Sequence, residues 1–328
     1  MTTLADLGKI TAARRKYVPI LATAVLLIGM YVFGATQYEA FGDGQVVLNI
    51  LIDNAFLLVV AVGMTFVILT GGIDLSVGAV VALSTLVSAT LMEKQGWPGP
   101  AVIALVLVMG ALLGMGMGAV IHFFELQPFI VTLAGMFLAR GLSYTISTDS
   151  ISITNGFFTT MAQTPVMLPG ELRVSISVVI ALVIVAIAAY VLHYTRTGRT
   201  VYAIGGSEQS AMLMGLPVAR TKIAVYTISG LCSALGGVLL AFYTLSGNAL
   251  HAVGMELDAI AAVVIGGTIL TGGAGYLFGT VLGVLVLGII QTLITFDGTL
   301  SSWWTKIVIG ALLFVFIVLQ RLVARRAQ

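Results

Sequence analysis

Ionisable and amide side chains stand inside the long apolar stretches of this chain, at positions where they could meet a polar solute. Asp53 and Arg140 are the charged members, and each lies about seven residues, roughly 10 Å, from one end of its apolar stretch. Either they form an ion pair that holds two helices in register, or they face a solute path and offer hydrogen bonds to hydroxyl groups. The uncharged polar side chains that we place on the same path are Asn49, Asn54, Thr132, Ser143 and Tyr144.

A second group combines one carboxylate with glycines between two apolar stretches. Asp74 has three possible roles there: to bind a cation, to gate an exit, or to cap the next helix by accepting from the amides of Leu75 or Ser76. A similar glycine-rich segment recurs at 266–274, and either an internal duplication or two independent turns explains it. The candidate gate or helix break comprises Gly71, Gly72, Asp74, Gly78, Gly266 and Gly267.

These groups must be positioned by helices in lipid. Of the 328 residues 59% are hydrophobic and 9% are charged, and such a composition cannot place a polar shell around a soluble core. We therefore predict an all-α polytopic integral membrane protein with about ten transmembrane helices, two of them short or broken, near 71–92 and 255–273. The expected crossings lie near 18–36, 46–70, 76–92, 101–121, 126–147, 174–194, 223–245, 255–271, 274–296 and 303–320.

Lysine and arginine residues fall mainly on one side of this topology. Cytoplasmic loops retain basic residues, so both termini are predicted to be cytoplasmic. The net charge of +2 then reports topology and gives no indication of nucleic-acid binding. We treat residues 1–328 as a single domain with a cytoplasmic loop at 195–222 and an external loop at 148–173.

The cytoplasmic loop contains the signals of a short capped helix. Ser207 suits an N-cap, Glu208 favours the positive end of a helix, Gly215 suits the position after its last turn, and Pro217 prevents continuation. Exposed methionines fit adaptable protein grooves, so the helix either docks on a partner or connects two spans at the membrane surface. Its predicted contact residues are Ser207, Glu208, Ala211, Met212, Leu213, Met214 and Gly215.

Several chemistries find little support. Cys232 is the single cysteine and lies in an apolar span, where we interpret it as a packing residue. The three histidines are widely spaced and predict no metal site. Nucleophile and base pairs at convincing spacing are also missing, so an intramembrane enzyme is not expected, and the sequence contains no phosphate-binding loop for ATP.

Two further groups lie near the predicted external face. Glu256 and Asp258 open the eighth span, where they contact a docking protein or a solute, or simply begin a helix. Trp303, Trp304 and Lys306 are typical of an interfacial anchor, although Trp304 or Phe296 could instead stack on the ring of a solute.

The chain resembles the permease subunits of bacterial ABC importers for ribose-type sugars. The resemblance covers nearly the whole chain and narrows, through three segments, to one of the two permeases of the galactofuranose importer; those segments are 53–56, 150–153 and 296–306. The family motifs are Gly63-Met64-Thr65, 71–78, 132–136 with Arg140-Gly141, 203–206 with Met214-Gly215, 256–261 and 264–267.

The resemblance implies a multi-pass protein of the bacterial inner membrane that forms half of a sugar pathway. Its implied partners are a second homologous permease, a cytoplasmic ATP-binding subunit that holds ATP and Mg, and a periplasmic sugar-binding protein. The chain itself would carry no cofactor and catalyse no reaction, and the helix at 207–215 would couple it to the ATPase. The alternative is a secondary carrier driven by an ion gradient, which also uses broken helices and buried carboxylates.

Overall fold

The computed structural model describes residues 18–301 and 303–325 of the chain. Almost all of this part is helical, as expected for a chain whose backbone must satisfy its own hydrogen bonds in lipid. The helices are α1 (Val18–Gln37), α2 (Gly44–Leu69), α3 (Val77–Gln95), α4 (Gly99–Phe123), α5 (Pro128–Ile146), α6 (Gly156–Gln163), α7 (Ile176–Tyr194), α8 (Arg196–Gly206), α9 (Glu208–Leu213), α10 (Val218–Thr244), α11 (Met255–Ile265), α12 (Leu277–Asp297) and α13 (Trp303–Arg325). A 3-10 turn, Glu39–Gly42, separates α1 from α2.

Two short antiparallel two-stranded sheets, of which the second is a hairpin, complete the described chain. The strands are β1 (Ile151–Ser152), β2 (Pro165–Met167), β3 (Arg173–Ser175) and β4 (Ser246–Gly247). β1 pairs with β4 and β2 pairs with β3. The face of the bundle that carries β2 and β3 is called the hairpin face below, and the opposite face, which carries α8 and α9, is called the α9 face.

Eight helices of the described residues are long and apolar enough to cross a membrane: α1 to α5, α7, α10 and α12. The apolar part of α13, Trp303–Leu319, falls just short of that length. α11 has 11 residues, about 16 Å at 1.5 Å per residue, against a bilayer core of about 30 Å. A short or broken helix was expected near 255–273 and near 71–92. The first is short, and near 71–92 the helical run is broken at 70–76, after which α3 continues for 19 residues from Val77.

The central helix of the bundle is α10, which packs against α2, α3 and α4. Its contact with α4 depends on the glycine stripe of that helix: a Cβ at Gly110 or Gly114 would overlap the backbone of Gly230 or Tyr226. Likewise, a Cβ at Gly279 or Gly283 of α12 would overlap the backbone carbonyl of Gly266 or Ala262 at α11. These stripes let backbones approach closely, so they are packing surfaces.

The segment between α10 and α11 runs down the side of α3 toward the middle of the bundle. The backbone of Gly247 lies against Thr85, and Ala252 lies against Gly78. Gly78 is 17 residues from the hairpin-face end of α3, about 25 Å along the helix. α11 therefore begins deep inside the bundle, and the expectation that Glu256 and Asp258 open a span at the external surface is wrong.

Residues 1–17, 302 and 326–328 lie outside the described residues. The expectation that both termini are cytoplasmic refers to these terminal segments and stays a prediction.

Candidate functional site

A cavity of about 390 Å³ opens toward the hairpin face. Its walls combine carboxylate, amide, hydroxyl and aromatic side chains from five helices, α2, α10, α11, α12 and α13. Such a mixture can accept and donate several hydrogen bonds while aromatic faces contact apolar edges. The polar and aromatic lining residues are Asp53, Asn54, Phe56, Tyr243, Asp258, Gln291, Thr295, Thr305 and Lys306.

Two hydrogen-bonded pairs hold charged groups in the wall of this cavity. The hydroxyl of Tyr243 donates to Asp53 Oδ1 at 3.0 Å, and Lys306 Nζ lies 2.6 Å from Asp258 Oδ2. Asp53 is exposed, and it lies nine residues, about 13 Å, below the start of α2. Because an ionised group facing hydrocarbon is costly, this wall must be covered by water, solute or another protein.

Of the seven predicted path residues, the structure brings Asp53 and Asn54 together in the cavity. Asn49 is exposed near the start of α2, where it accepts from Gln45 Nε2 at 2.9 Å. Thr132 lies toward the α9 face, and its hydroxyl accepts from the Leu75 amide at 3.2 Å. Ser143 bonds to the carbonyl of its own helix at Ala139, and Tyr144 is exposed on α5.

The predicted ion pair between Asp53 and Arg140 does not form. Arg140 Nη1 donates to the carbonyl oxygens of Ala249 and His251, the latter at 2.9 Å. The guanidinium thus fixes the segment that descends along α3, and Glu256 is the nearby carboxylate that acts on it electrostatically. Asp53 lies nine residues and Arg140 six residues from the ends of their helices, against the seven expected for each, and two groups at similar depth need not share a face of the bundle.

Asp74 is completely buried in the break between α2 and α3. Its Oδ1 accepts from the Ser76 amide at 2.9 Å and from the Ser76 hydroxyl at 2.6 Å. Its Oδ2 accepts from the hydroxyl of Ser229 on α10 at 2.6 Å. The carboxylate therefore accepts from the Ser76 amide, as expected, one residue before α3 begins, and also ties that start to the central helix.

Three chain segments meet on the α9 face at a cluster of glycines, called here the glycine junction: Gly71, Gly205, Gly272 and Gly273. The amide of Gly273 donates to the carbonyl of Leu69 at 2.9 Å. A Cβ at Gly205 would overlap that same carbonyl, and one at Gly272 would overlap the backbone of Gly71. Hence the end of α8 touches both glycine breaks, those that follow α2 and α11.

The remaining predicted gate residues lie outside the junction. Gly72 packs against the hydroxyl of Tyr226, and Gly78 packs against Glu256 deep in the bundle. Gly266 contacts Gly279 of α12, and Gly267 contacts Pro19 of α1. Tyr202 of α8 reinforces the junction, because its hydroxyl donates to the carbonyl of Gly275 at 2.9 Å. Burial, and then the nearby Tyr276, raise the pKa of Tyr202 to about 12, so the hydroxyl stays protonated.

The predicted capped helix is α9. The hydroxyl of Ser207 accepts from the Ser210 amide at 3.2 Å, and Gly215 adopts a left-handed conformation with φ of 72°. Ala211 is buried against Ile204 and Val218. Glu208 pairs with Lys222 of α10 at 2.6 Å.

One end of α9 is strongly apolar and uncovered. Leu213 is 89% exposed. Met212 and Met214 flank it and are also exposed. An exposed apolar patch on a short anchored helix is typical of a protein docking site.

Sequence reasoning missed Tyr243, Gln291 and Thr295 of the cavity and Gly272 and Gly273 of the junction. The cavity residues stand in apolar helices far apart in the chain, and a single polar residue there gives no signal of its partners. The glycines offered a partial signal, because the similarity of 71–79 to 266–274 marked both segments as breaks on the same side.

A bundle of membrane-crossing helices with a polar cavity on one face and a short helix with an exposed apolar end on the other is typical of a membrane transport subunit. The family model described as "Branched-chain amino acid transport system / permease component" matches residues 46–317. The chain belongs to this family, whose members are permease components, and it is a multi-pass protein of the inner membrane and not itself an enzyme.

Curated relatives match over most of their length. The chain is 47% identical over 307 residues to the inner membrane ABC transporter permease protein YjfF of Escherichia coli (strain K12), covering 94% of this chain and 93% of the relative. It is 44% identical over 315 residues to the fructose import permease protein FruG of Bifidobacterium longum (strain NCC 2705), covering 94% and 92%. It is 40% identical over 246 residues to the ribose import permease protein RbsC of Haemophilus influenzae (strain ATCC 51907 / DSM 11121 / KW20 / Rd), covering 75% and 76%. No solved structure matches the chain.

Proposed function

We propose that this chain is the membrane subunit of an ATP-driven importer of a monosaccharide, and that it forms one half of the sugar pathway. The observation that carries the proposal is the polar and aromatic cavity between α2, α10, α11, α12 and α13. The relatives named as fructose and ribose import permeases agree with a sugar substrate. The amino-acid substrate in the family description is less well matched. The carboxylate of an amino acid requires a free cationic group, and Lys306 of the cavity is already paired with Asp258.

Galactofuranose, or a related monosaccharide, is the substrate that we propose. Its hydroxyl groups require acceptors and donors together, and Asp53, Asn54 and Gln291 provide both. The rings of Phe56 and Tyr243, with centroids 6.0 Å apart, supply an aromatic edge for the apolar side of a sugar. The support for this particular sugar is the resemblance of segments 53–56 and 296–306, both of which contribute side chains to the cavity wall.

A second, homologous permease completes the pathway in this proposal. Asp53 and Tyr243 are exposed within membrane-crossing helices, where exposure of ionised groups to lipid is costly. A partner permease placed over this wall would enclose the sugar between two chains. A cytoplasmic ATP-binding subunit would dock on α9, and a periplasmic sugar-binding protein would deliver sugar at the hairpin face.

Force would pass from the ATPase to the helices through the glycine junction. α9 follows α8 directly, and α8 ends against the breaks after α2 and α11. Displacement of α9 therefore moves the ends of two helices that line the cavity. Alternating exposure of the cavity to the two sides of the membrane would follow.

The test is purification of the complex from native membranes in mild detergent, followed by an ATPase assay with sugar-loaded binding protein. We expect an ATPase and a second permease to co-purify, and hydrolysis to rise with galactofuranose more than with ribose or fructose. The Leu213→Asp variant should lose the ATPase, whereas Met167→Asp, a similar change at an exposed residue of the hairpin face, should retain it.

A lone chain that transports under an imposed ion gradient, without any ATPase, would contradict the proposal and favour a secondary carrier. Stimulation by ribose or fructose but not galactofuranose would retain the importer and reject the proposed sugar.

A further inference from the structure

A second cavity, of about 780 Å³, opens on the α9 face between the first turns of α8 and α10. We propose that it binds the phosphate group of an anionic lipid in the leaflet on that side. The argument rests on the unpaired guanidinium groups of its walls and on their level in the membrane. Its lining residues are Arg196, Thr197, Arg199, Thr200, Ala203, Leu216, Pro217, Arg220, Thr221 and Ala224.

Three positive charges face this cavity, and no carboxylate of the described part of the chain lines it. Arg196, Arg199 and Arg220 are exposed, and none has an ion-pair or hydrogen-bond partner within residues 18–301 and 303–325. The neighbouring carboxylate, Glu208, is bound instead to Lys222 at 2.6 Å. Planar guanidinium groups match phosphate oxygens through two parallel hydrogen bonds, so free arginines in a concave wall favour a phosphate ligand.

Two of the three threonine hydroxyls in the lining are already bonded. The hydroxyls of Thr200 and Thr221 donate to carbonyls one turn earlier in their own helices, at 3.0 and 2.9 Å. The free donors are therefore those of the three arginines and the hydroxyl of Thr197, and only the arginines carry charge. The positive end of α8, an 11-residue helix whose first residues line the wall, adds to the attraction for an anion.

The level of the cavity matches that of lipid headgroups. Arg196 follows the last residue of the membrane-crossing helix α7 by two positions, and Arg220 is the third residue of the membrane-crossing helix α10. The exposed rings of Tyr190 and Tyr194, stacked with centroids 5.8 Å apart, occupy the end of α7, and tyrosines are enriched at this interface. Basic cavities between helices at this level recognise anionic headgroups.

The apolar part of the lining fits a lipid better than it fits a free anion. Ala203, Leu216, Pro217 and Ala224 give the cavity an apolar wall beside the arginines, which suits the glycerol and first acyl carbons of a lipid. The exposed residues Met212, Leu213 and Met214 of α9 are not part of the lining, so docking of a protein on α9 leaves the cavity to lipid.

The experiment is native mass spectrometry of the full-length chain, purified with its partners in mild detergent and titrated with phosphatidylglycerol or phosphatidylcholine. We compare the native chain with a variant that combines Arg196→Gln, Arg199→Gln and Arg220→Gln. Arg173→Gln, at an arginine on the hairpin face, is the matched control. Each titration is repeated with an excess of inorganic phosphate.

We expect tight adducts with phosphatidylglycerol and weak ones with phosphatidylcholine, with the affinity for phosphatidylglycerol falling about fivefold for each arginine replaced. The control should bind as the native chain does, and inorganic phosphate should not displace the lipid. If the triple variant fails to fold, as judged by thermal unfolding in detergent, the single variant Arg199→Gln replaces it.

Three results would overturn the proposal. Equal binding of both lipids by the native chain would remove the requirement for an anionic headgroup. Binding of inorganic phosphate that depends on the arginines, with lipid adducts that do not, would assign the cavity to the free anion. Unchanged lipid adducts in the triple variant, together with loss of the ATPase, would assign the arginines to protein docking.

Discussion

Tyr243 and Asp53 are joined across α10 and α2 by a hydrogen bond of 3.0 Å in the wall of the hairpin-face cavity. The bond links the central helix of the bundle to the helix that follows it closely along much of its length. It also orients the carboxylate so that its second oxygen is free to accept from a solute. The carboxylate of Asp53 would therefore serve both the packing of α10 against α2 and the binding of a sugar.

Replacement of Tyr243 by phenylalanine should weaken sugar uptake while the bundle stays folded. The change removes one hydrogen bond to a carboxylate, worth about 1.5 to 3 kcal/mol, and leaves Asp53 free to rotate. We expect a severalfold rise in the sugar concentration needed for half-maximal uptake. Tyr144→Phe, at an exposed tyrosine outside the cavity, is the control, and an equal effect of both variants would argue against this wall as the sugar site.

Exchange of charge between Asp53 and Arg140 should fail to restore function. Arg140→Asp removes two hydrogen bonds to the carbonyls of Ala249 and His251 and should destabilise the bundle by about 3 to 5 kcal/mol. Adding Asp53→Arg cannot repair those bonds, so the double variant should be no better than Arg140→Asp alone in uptake and in thermal unfolding.

The same exchange applied to Asp258 and Lys306 provides the contrast, because this pair is in contact at 2.6 Å. Asp258→Lys with Lys306→Asp should recover part of the loss that either single change produces. If charge exchange restores function in the Asp53 and Arg140 pair but not in the Asp258 and Lys306 pair, the hydrogen bonds assigned to Arg140 are incorrect.

Asp74→Asn should be almost silent, and Asp74→Ala should not. The asparagine oxygen can accept from the amide and hydroxyl of Ser76, and its NH2 can donate to the hydroxyl of Ser229. Alanine leaves these buried donors without a partner, so we expect a loss of about 2 to 4 kcal/mol in the free energy of unfolding. Thermal unfolding of both variants in detergent, with uptake measured at equal membrane levels, checks this. An asparagine variant that folds normally but has lost uptake would favour a gate that needs the charge.

Gly205→Ala and Gly206→Ala test the glycine junction with the same chemical change at adjacent residues. A Cβ at Gly205 overlaps the carbonyl of Leu69, whereas a Cβ at Gly206 meets nothing within 4 Å. Overpacking at Gly205 should cost about 1 to 3 kcal/mol and should separate ATP hydrolysis from uptake. Uptake per ATP hydrolysed is the measurement, and a normal ratio in Gly205→Ala would show that the junction transmits nothing.

Much of the fold could be predicted because a segment that crosses lipid must be a long apolar helix. Apolar length alone placed most helices, and the local signals of Ser207, Gly215 and Pro217 placed the ends of α9 within a residue or two. The hydrogen bond from the Ser76 amide to Asp74 was predictable for the same reason, since a side chain and the amide two residues later need no distant partner.

The pairing of distant groups could not be predicted in this way. Arg140 donates to backbone carbonyls of the segment before α11. Every residue has a backbone carbonyl, so the sequence does not indicate which one accepts. Asp53 accepts a hydrogen bond from Tyr243, which lies 190 residues away in the chain. The level of Glu256 was misjudged because a hydropathy pattern gives the length of a helix but not the height at which it starts.

The brevity of α11 has a consequence for how the protein is made. Eleven residues give the insertion machinery too little apolar length to release into lipid as an independent span. The segment must therefore be held by protein from the moment it enters the bilayer. α3 packs against the start of α11 at Gly78, and Arg140 of α5 binds the segment just before α11. Both helices precede α11 in the chain and are synthesised earlier, so this part of the bundle is already in place when α11 enters the membrane.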